Sequence, residues 1–190
     1  TLKKYTEVTE VKNTNIDSLN RKLKNYNTVI IGFHKVNKTW DKQEFTATEL
    51  VWLQEISKHN KVILDIFSKP YSLLPLTNFD DIEGLVVSYQ NSDISQVVSA
   101  EVLFGAIEAK GKLPVSINKH FNVNDGLSTV KLNRLGFTAP ENEGMNPLVL
   151  SKIDSIAKKA IDGKMTPGMQ VLVARKGNVI FQKSYGHHTY

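Results

Sequence analysis

The sequence predicts an α/β fold with a mostly parallel, doubly wound sheet, followed by a helix and a β-hairpin. Short apolar runs alternate along the chain with segments whose apolar residues recur at helical spacing. Three of these runs, residues 28–33, 61–67 and 84–89, are typical of strands that are buried on both faces. Strands that alternate with helices favour βαβ units, in which helices cover a parallel sheet.

The first third of the chain predicts a strand, a helix and then the first buried strand. Residues 5–11 alternate Thr, Val and Glu, which predicts a short strand. Residues 15–26 predict a helix, because they carry one apolar stripe: Ile16, Leu19, Leu23 and Tyr26. Thr46 and Glu49 have the spacing of a capping box, so a second helix is expected to begin there.

The stretch that follows the third buried run predicts a helix and a further strand. Asp93 is the predicted N-cap of this helix, and Gly105 is placed to adopt the left-handed conformation after its end. Residues 113–117 predict a short strand, since Pro114 suits a strand start or an edge.

We expect four parallel strands in the sheet, and each of them has a central apolar residue that should be buried. These four residues are Val8, Ile30, Ile63 and Val86.

The last third of the chain predicts a loop, a helix and a hairpin. Residues 118–146 are dense in Asn, Asp, Gly, Thr and Pro and hold no hydrophobic period. Asn146 and Pro147 then give an N-cap and a first helical position. Residues 169–174 and 179–184 are strand-like runs separated by Arg-Lys-Gly-Asn, which predicts a hairpin. A helix and a hairpin alone bury too little surface, so we expect docking or self-association through the hairpin.

Composition excludes several classes of function. The chain has 190 residues and a net charge of +5, and its lysines are scattered rather than clustered, which argues against a nucleic-acid partner. It has no cysteine, so a disulfide framework, a thiolate metal site and a cysteine nucleophile are excluded. No apolar run approaches the roughly 18 residues that a membrane span needs.

Several motifs follow one another in order through the first two thirds of the chain. They are LKNYNTVIIG at 23–32, SKPYSL at 68–73, VSYQ at 87–90, LFG at 103–105 and GKLPV at 111–115. Together they resemble the C-terminal α/β domain of family 3 glycoside hydrolases, over roughly residues 1–125. The likeness is closest to β-N-acetylhexosaminidase-type members that carry a serine β-lactamase-like domain after the glycosidase.

A second resemblance covers the end of the chain. The segments TPGMQVLV at 166–173 and GNVIFQKSYG at 177–186 follow a helix. In that order they resemble the opening of class C β-lactamase and penicillin-binding-protein-like domains. The two resemblances imply a flavodoxin-like sandwich over 1–125, a linker over 126–146 and the start of a β-lactamase-like domain over 147–190.

The resemblance implies a non-catalytic fragment of a β-N-acetylglucosaminidase- or β-glucosidase-like hydrolase. In that family, the catalytic carboxyl groups belong to a TIM barrel, which is expected upstream of this chain. The α/β domain would pack on the barrel and help wall the sugar site, so its partners would be the barrel and a carbohydrate. No cofactor is implied, and a periplasmic or extracellular location is favoured. The rival hypothesis is a free-standing flavodoxin-like binding module with no enzymatic parent.

The candidate substrate-binding residues follow the ends of the predicted strands. In open α/β sheets, ligands contact the loops beyond the carboxyl ends of the strands. These loops offer His34, Ser68, Lys69 and Gln90 as candidates, against the alternative that they are ordinary polar loop residues.

No catalytic residue and no metal ligand is predicted. His187 and His188 are adjacent, so on a strand they would point to opposite faces. The pattern Ser-x-x-Lys occurs three times, at Ser116, Ser128 and Ser155, and chance produces such matches readily in a Lys-rich chain. None of the three is expected to be a nucleophile.

Overall fold

The computed structural model describes residues 1–12, 15–36 and 43–189. The chain divides into two compact units. Unit 1 comprises Thr1–Phe104 with Glu108–Val130, and unit 2 comprises Gly105–Ile107 with Lys131–Tyr190.

Unit 1 is built on a three-stranded parallel sheet. Its strands are β1 (Thr28–His34), β2 (Lys61–Phe67) and β3 (Ile82–Val87), and its helices are α1 (Ile16–Leu23), α2 (Ala47–Ser57) and α3 (Asp93–Leu103). β2 is central and pairs in parallel with β1 on one side and β3 on the other. The predicted α/β class and the parallel pairing of the three buried runs are confirmed.

The two faces of the sheet differ in chemistry because successive strand residues point to opposite sides. On one face the β2 side chains of Val62, Leu64 and Ile66 are fully buried in the core of unit 1. Helices α1 and α2 cover that core with Leu19, Leu23, Leu53 and Ile56. On the other face, Asp65 of β2 accepts a hydrogen bond from Ser99 of α3.

The helix starts follow from short polar side chains in the sequence. The Asn15 side chain caps α1 by accepting a hydrogen bond from the backbone N–H of Ser18 at 2.9 Å. The predicted capping box of α2 is confirmed: Thr46 Oγ1 accepts from the N–H of Glu49 at 3.2 Å, and the Glu49 carboxylate accepts from the N–H of Thr46 at 2.7 Å. Two amide groups that the helix leaves unpaired are thereby satisfied.

The prediction of a fourth strand over residues 5–11 is wrong. A 3-10 turn covers Leu2–Lys4, and residues 5–11 pair with no strand. An alternating pattern becomes a strand only beside another strand, and the three paired strands of unit 1 leave these residues outside their ladder. The four residues named as buried strand centres, Val8, Ile30, Ile63 and Val86, are each half-buried.

Two further details around α3 are corrected. The N-cap is Ser92, whose hydroxyl accepts from the N–H of Ser95 at 3.2 Å, so Asp93 occupies the first turn. Residues 113–117 form no strand; Ile117 makes an isolated antiparallel bridge with Phe121 instead. Pro114 has no N–H to give to a ladder, and the chain turns back directly after Ile117.

Unit 2 contains the predicted hairpin, which is confirmed. Its strands are β4 (Gly136–Phe137), β5 (Gly168–Arg175) and β6 (Asn178–Gly186), and its helices are α4 (Pro147–Leu150) and α5 (Lys152–Asp162). β5 and β6 are antiparallel, and the sheet order is β4-β6-β5. The two loop residues, Lys176 and Gly177, have φ of 50° and 85°, as the tight hairpin turns with two left-handed residues require.

In the described part of the chain, no helix is both long enough and apolar enough to cross a membrane.

Candidate functional site at the carboxyl edge of the sheet

The carboxyl ends of β1, β2 and β3 lie at one edge of the parallel sheet of unit 1. The loops that follow them carry the four predicted residues: His34 ends β1, Ser68 and Lys69 follow β2, and Gln90 follows β3. Such an edge is where α/β sheets bind their ligands, because loops from neighbouring strands meet there.

His34 is exposed, and its ring is held in one position. The imidazole stacks on the ring of Phe67, its register partner on β2, with 4.4 Å between centroids and 6° between planes. The ring also lies above Gly32, where a β-carbon would be only 2.5 Å from His34 Nε2. Glycine at position 32 is therefore what allows the imidazole to lie along the strand.

Asn91 connects the loop after β3 to the end of β1. Its Nδ2 donates to the backbone carbonyl of Lys35 at 3.2 Å, and its Oδ1 lies 3.1 Å from His34 Nδ1. The side chain of Gln96 on α3 also donates to Oδ1, at 3.5 Å. Since β2 stands between β1 and β3, this contact joins the two outer strands at the carboxyl edge.

Asp65 is a nearly buried carboxylate on the same face of the sheet, 3 % exposed. It faces Gly32 in the β1–β2 register and accepts hydrogen bonds from Ser99 and, at 2.7 Å, from Ser88. Burial raises the pKa of Asp65, while the hydrogen bonds from Ser99 and Ser88 and the nearby His34 act in the opposite direction. The carboxylate ties α3 and the loop after β3 to the central strand.

Ser68 lies in the interior of unit 1. It is fully buried, donates to Gln43 Oε1 at 2.7 Å and shares a 2.8 Å hydrogen bond with Ser72. These contacts anchor the turn after β2. The geometry therefore gives Ser68 a supporting position beneath the edge, whereas its predicted contact with a ligand stays a prediction.

Lys69 and Gln90 lie nearer the surface. Lys69 is half-buried and directly precedes the 3-10 turn Pro70–Leu73. Gln90 is exposed, and its N–H donates to the Ser88 carbonyl at 2.7 Å.

That hydrogen bond closes a γ-turn with Tyr89 at its centre. Tyr89 has φ of 61°, a left-handed conformation that is strained for a bulky residue. Strain of this kind persists only where the surrounding structure imposes it, and it is common at functional sites.

Two exposed aromatic residues at this edge were missed by the sequence reasoning. Tyr89 is 41 % exposed after β3, and Tyr71 is 46 % exposed after β2. Tyrosine combines a flat apolar ring with a polar hydroxyl, which suits ligands that have both kinds of surface. The available sequence signal for the two tyrosines was their position in the motifs SKPYSL and VSYQ. Asn91 was also missed, and its contact with the end of β1 could be found only from the strand register.

Unit 2 carries a separate polar cluster between α5 and β6. Lys183 Nζ lies 2.8 Å from both carboxylate oxygens of Asp154, and the Tyr185 hydroxyl donates to Asp154 Oδ1 at 2.7 Å. Desolvation and the Asp154 carboxylate raise the pKa of Tyr185 to about 12, so its phenol stays protonated near neutral pH. Nearby, the hydroxyl of Ser155 donates to the Lys152 carbonyl at 2.8 Å. The contacts of Asp154 with Lys183 and Tyr185 fasten α5 to β6, whereas the Ser155 hydrogen bond stays within the helix.

Within the described ranges, no three His, Asp or Glu residues form a group that could hold a metal ion. Comparisons of the chain with models of protein families, with curated proteins and with solved structures found no match.

Proposed function

We propose that unit 1 is the non-catalytic α/β domain of a family 3 glycoside hydrolase-like protein, and that its carboxyl edge helps wall a sugar site. The ordered motifs of residues 23–115 support the family, and the parallel sheet is compatible with a doubly wound, flavodoxin-like domain. In this proposal an upstream TIM barrel supplies the catalytic carboxyl groups, and residues 147–190 begin a β-lactamase-like domain.

One observation carries the proposal: three neighbouring strands end in loops that present polar and aromatic side chains at one edge. His34 follows Gly32 at the end of β1, Tyr71 and Lys69 lie beyond β2, and Tyr89 and Gln90 lie beyond β3. Sugars have hydroxyl groups around an apolar ring face, so hydrogen-bonding side chains beside exposed tyrosines match both of their surfaces.

The test is a titration of the whole chain with N-acetylglucosamine, its β-1,4-linked dimer and glucose, followed by amide chemical shifts in NMR. We expect the largest changes at the ends of β1, β2 and β3, and weak binding, since most of the proposed site belongs to the barrel. Gln90→Ala should weaken the response by several-fold.

The matched control changes an exposed polar residue at the opposite edge of the same sheet. Asp81 precedes β3 at the amino edge, where it lines an open depression with Lys61 and Glu83. Asp81→Asn should leave the titration unchanged. Shifts that centre on this amino edge, or that are equal for both variants, would contradict the proposal and favour a binding module of another kind.

A further inference from the structure

We infer that Tyr89 is the side chain of the carboxyl edge that packs on the ring face of a ligand, and that the loop over residues 88–91 is fixed so as to hold it there. This inference deepens the proposed function and rests on it for the ligand class, which is a pyranose with an apolar C–H face. Three features of the loop support it: its path along the sheet edge, its backbone at Tyr89 and the exposure of that residue.

The loop leads from the end of β3 toward the end of β1 and is anchored at both of its ends. At its start, the N–H of Ser88 donates to the Ile66 carbonyl near the end of β2 at 2.8 Å. At its finish, Asn91 Nδ2 donates to the carbonyl of Lys35, directly after β1, at 3.2 Å. Tyr89 lies between these two anchors, so its side chain begins at the carboxyl edge of the sheet.

Tyr89 has a backbone conformation that suits glycine. Its φ of 61° is left-handed, and the N–H of Gln90 donates to the Ser88 carbonyl across it at 2.7 Å. The hydrogen bonds of Ser88 to Asp65 and of Asn91 to the end of β1 hold the flanking residues in place. A glycine would occupy this position without strain, so a ring kept here points to a use for the ring itself.

Much of the Tyr89 side chain is open to a ligand. The residue is 41 % exposed. Because the side chain makes up most of the surface of a tyrosine, the backbone alone cannot account for that exposure. Among the residues that the structure describes, Tyr89 has no aromatic ring partner, and its hydroxyl makes no hydrogen bond. The ring can therefore cover the C–H face of a pyranose while the hydroxyl bonds to the sugar.

The conformation is tested without ligand, by urea denaturation of two pairs of variants. Tyr89→Gly and Tyr89→Ala both lose the ring, and they differ only in a β-carbon that positive φ makes unfavourable. We expect Tyr89→Gly to unfold at the higher urea concentration. The neighbouring Gln90 does not have a positive φ, so there the order should reverse, with Gln90→Ala more stable than Gln90→Gly.

The contact is tested by NMR with the β-1,4-linked dimer of N-acetylglucosamine. We expect NOEs between the ring protons of the sugar and the aromatic protons of Tyr89, a signal that a purely structural role would not produce. Tyr89→Ala should weaken binding several-fold, whereas Tyr89→Phe should keep most of it, since ring packing provides the contact. The matched control is Tyr26→Ala, at a tyrosine that is 38 % exposed and precedes β1 at the amino edge, and it should leave the titration unchanged.

The outcomes distinguish this inference from the proposed function. If the dimer shifts the amides of the carboxyl edge but gives no NOE to Tyr89, or binds Tyr89→Ala as tightly as the wild type, the inference is overturned while the proposed function stands. Greater stability of Tyr89→Ala than of Tyr89→Gly would overturn the inference as well, because the strained backbone would then be absent. If the dimer shifts no amide of the carboxyl edge, both fail.

Discussion

At the scale of single residues, Asp65 should make the folded protein less stable as the pH rises. Burial raises its pKa above the ordinary 3.8, so the folded state holds the proton at a pH where the unfolded chain has released it. The folded state then binds more protons, and the free energy of unfolding falls as pH rises through this window. Below the unfolded pKa this contribution is fully present.

The prediction compares the wild-type chain with Asp65→Asn by urea denaturation at several pH values from 7 downward. The wild type should gain stability relative to the variant on acidification, because the cost of burying a charged carboxylate disappears. Asp81→Asn, at an exposed site, should show no such trend. If the wild type instead loses stability relative to Asp65→Asn as pH falls, the pKa of Asp65 is not raised in the folded state.

Tyr185 in unit 2 gives a second prediction at this scale. Its pKa of about 12 reflects desolvation and the hydrogen bond and charge of Asp154. Asp154→Asn removes the charge, so the pKa should fall part of the way toward the ordinary value of 10.0. The ring resonances of Tyr185 followed by NMR against pH measure this directly. An unshifted titration in the variant would show that desolvation alone sets the value.

At the scale of elements, the capping box should set the stability of α2. Thr46→Ala removes the acceptor for the Glu49 N–H and is expected to lower the free energy of unfolding by about 1 kcal/mol. The control is Thr48→Ala, two residues further on, at an exposed site in the first turn of the same helix. It should be neutral or slightly stabilising, since alanine favours helix. Equal losses in the two variants, measured by urea denaturation, would rule out a capping effect.

The hairpin of unit 2 has an edge strand that should associate with a second molecule. β5 lies at the end of the order β4-β6-β5, and Leu172 on it is 52 % exposed. Unpaired backbone groups beside an exposed leucine are a template for strand pairing. We expect sedimentation velocity to show concentration-dependent dimers.

Leu172→Lys should abolish that association, because a charge on an edge strand opposes pairing. Its control is Gln182→Lys, which places the same charge at the cross-strand partner of Leu172 on the inner strand β6. A chain that stays monomeric at every concentration, or dimers that both substitutions disrupt equally, would count against the β5 edge.

At the scale of the whole molecule, the proposed role predicts that this chain alone does not hydrolyse glycosides. A retaining glycosidase needs two carboxyl groups about 5 Å apart, and in the proposal both belong to the barrel. Chromogenic β-N-acetylglucosaminide and β-glucoside substrates should show no turnover at high protein concentration. Turnover that survives repurification and is lost on changing an acidic residue, Asp65 first, would overturn the non-catalytic role.

The elements whose signals are local could be predicted from the sequence. The capping box of Thr46 and Glu49, the bounds of β2 and the left-handed φ of 70° at Gly105 all agree with the structure. Each depends on atoms only a few residues apart: a hydroxyl that reaches the third amide, a run of β-branched residues, or a glycine that adopts positive φ without a steric penalty.

Only the tertiary structure showed that residues 5–11 stay outside the sheet, that β2 is its central strand, and which loop residues meet. Residues 5–11 have a strand pattern but no strand beside them, and no local signal could show that. Asn91 and His34 are 57 positions apart in the sequence, and they come together because β1 and β3 flank β2 in register. Long-range pairing depends on burial and on the entropy of closing loops, which act on the whole chain at once, so this part of the site was beyond the reach of the sequence alone.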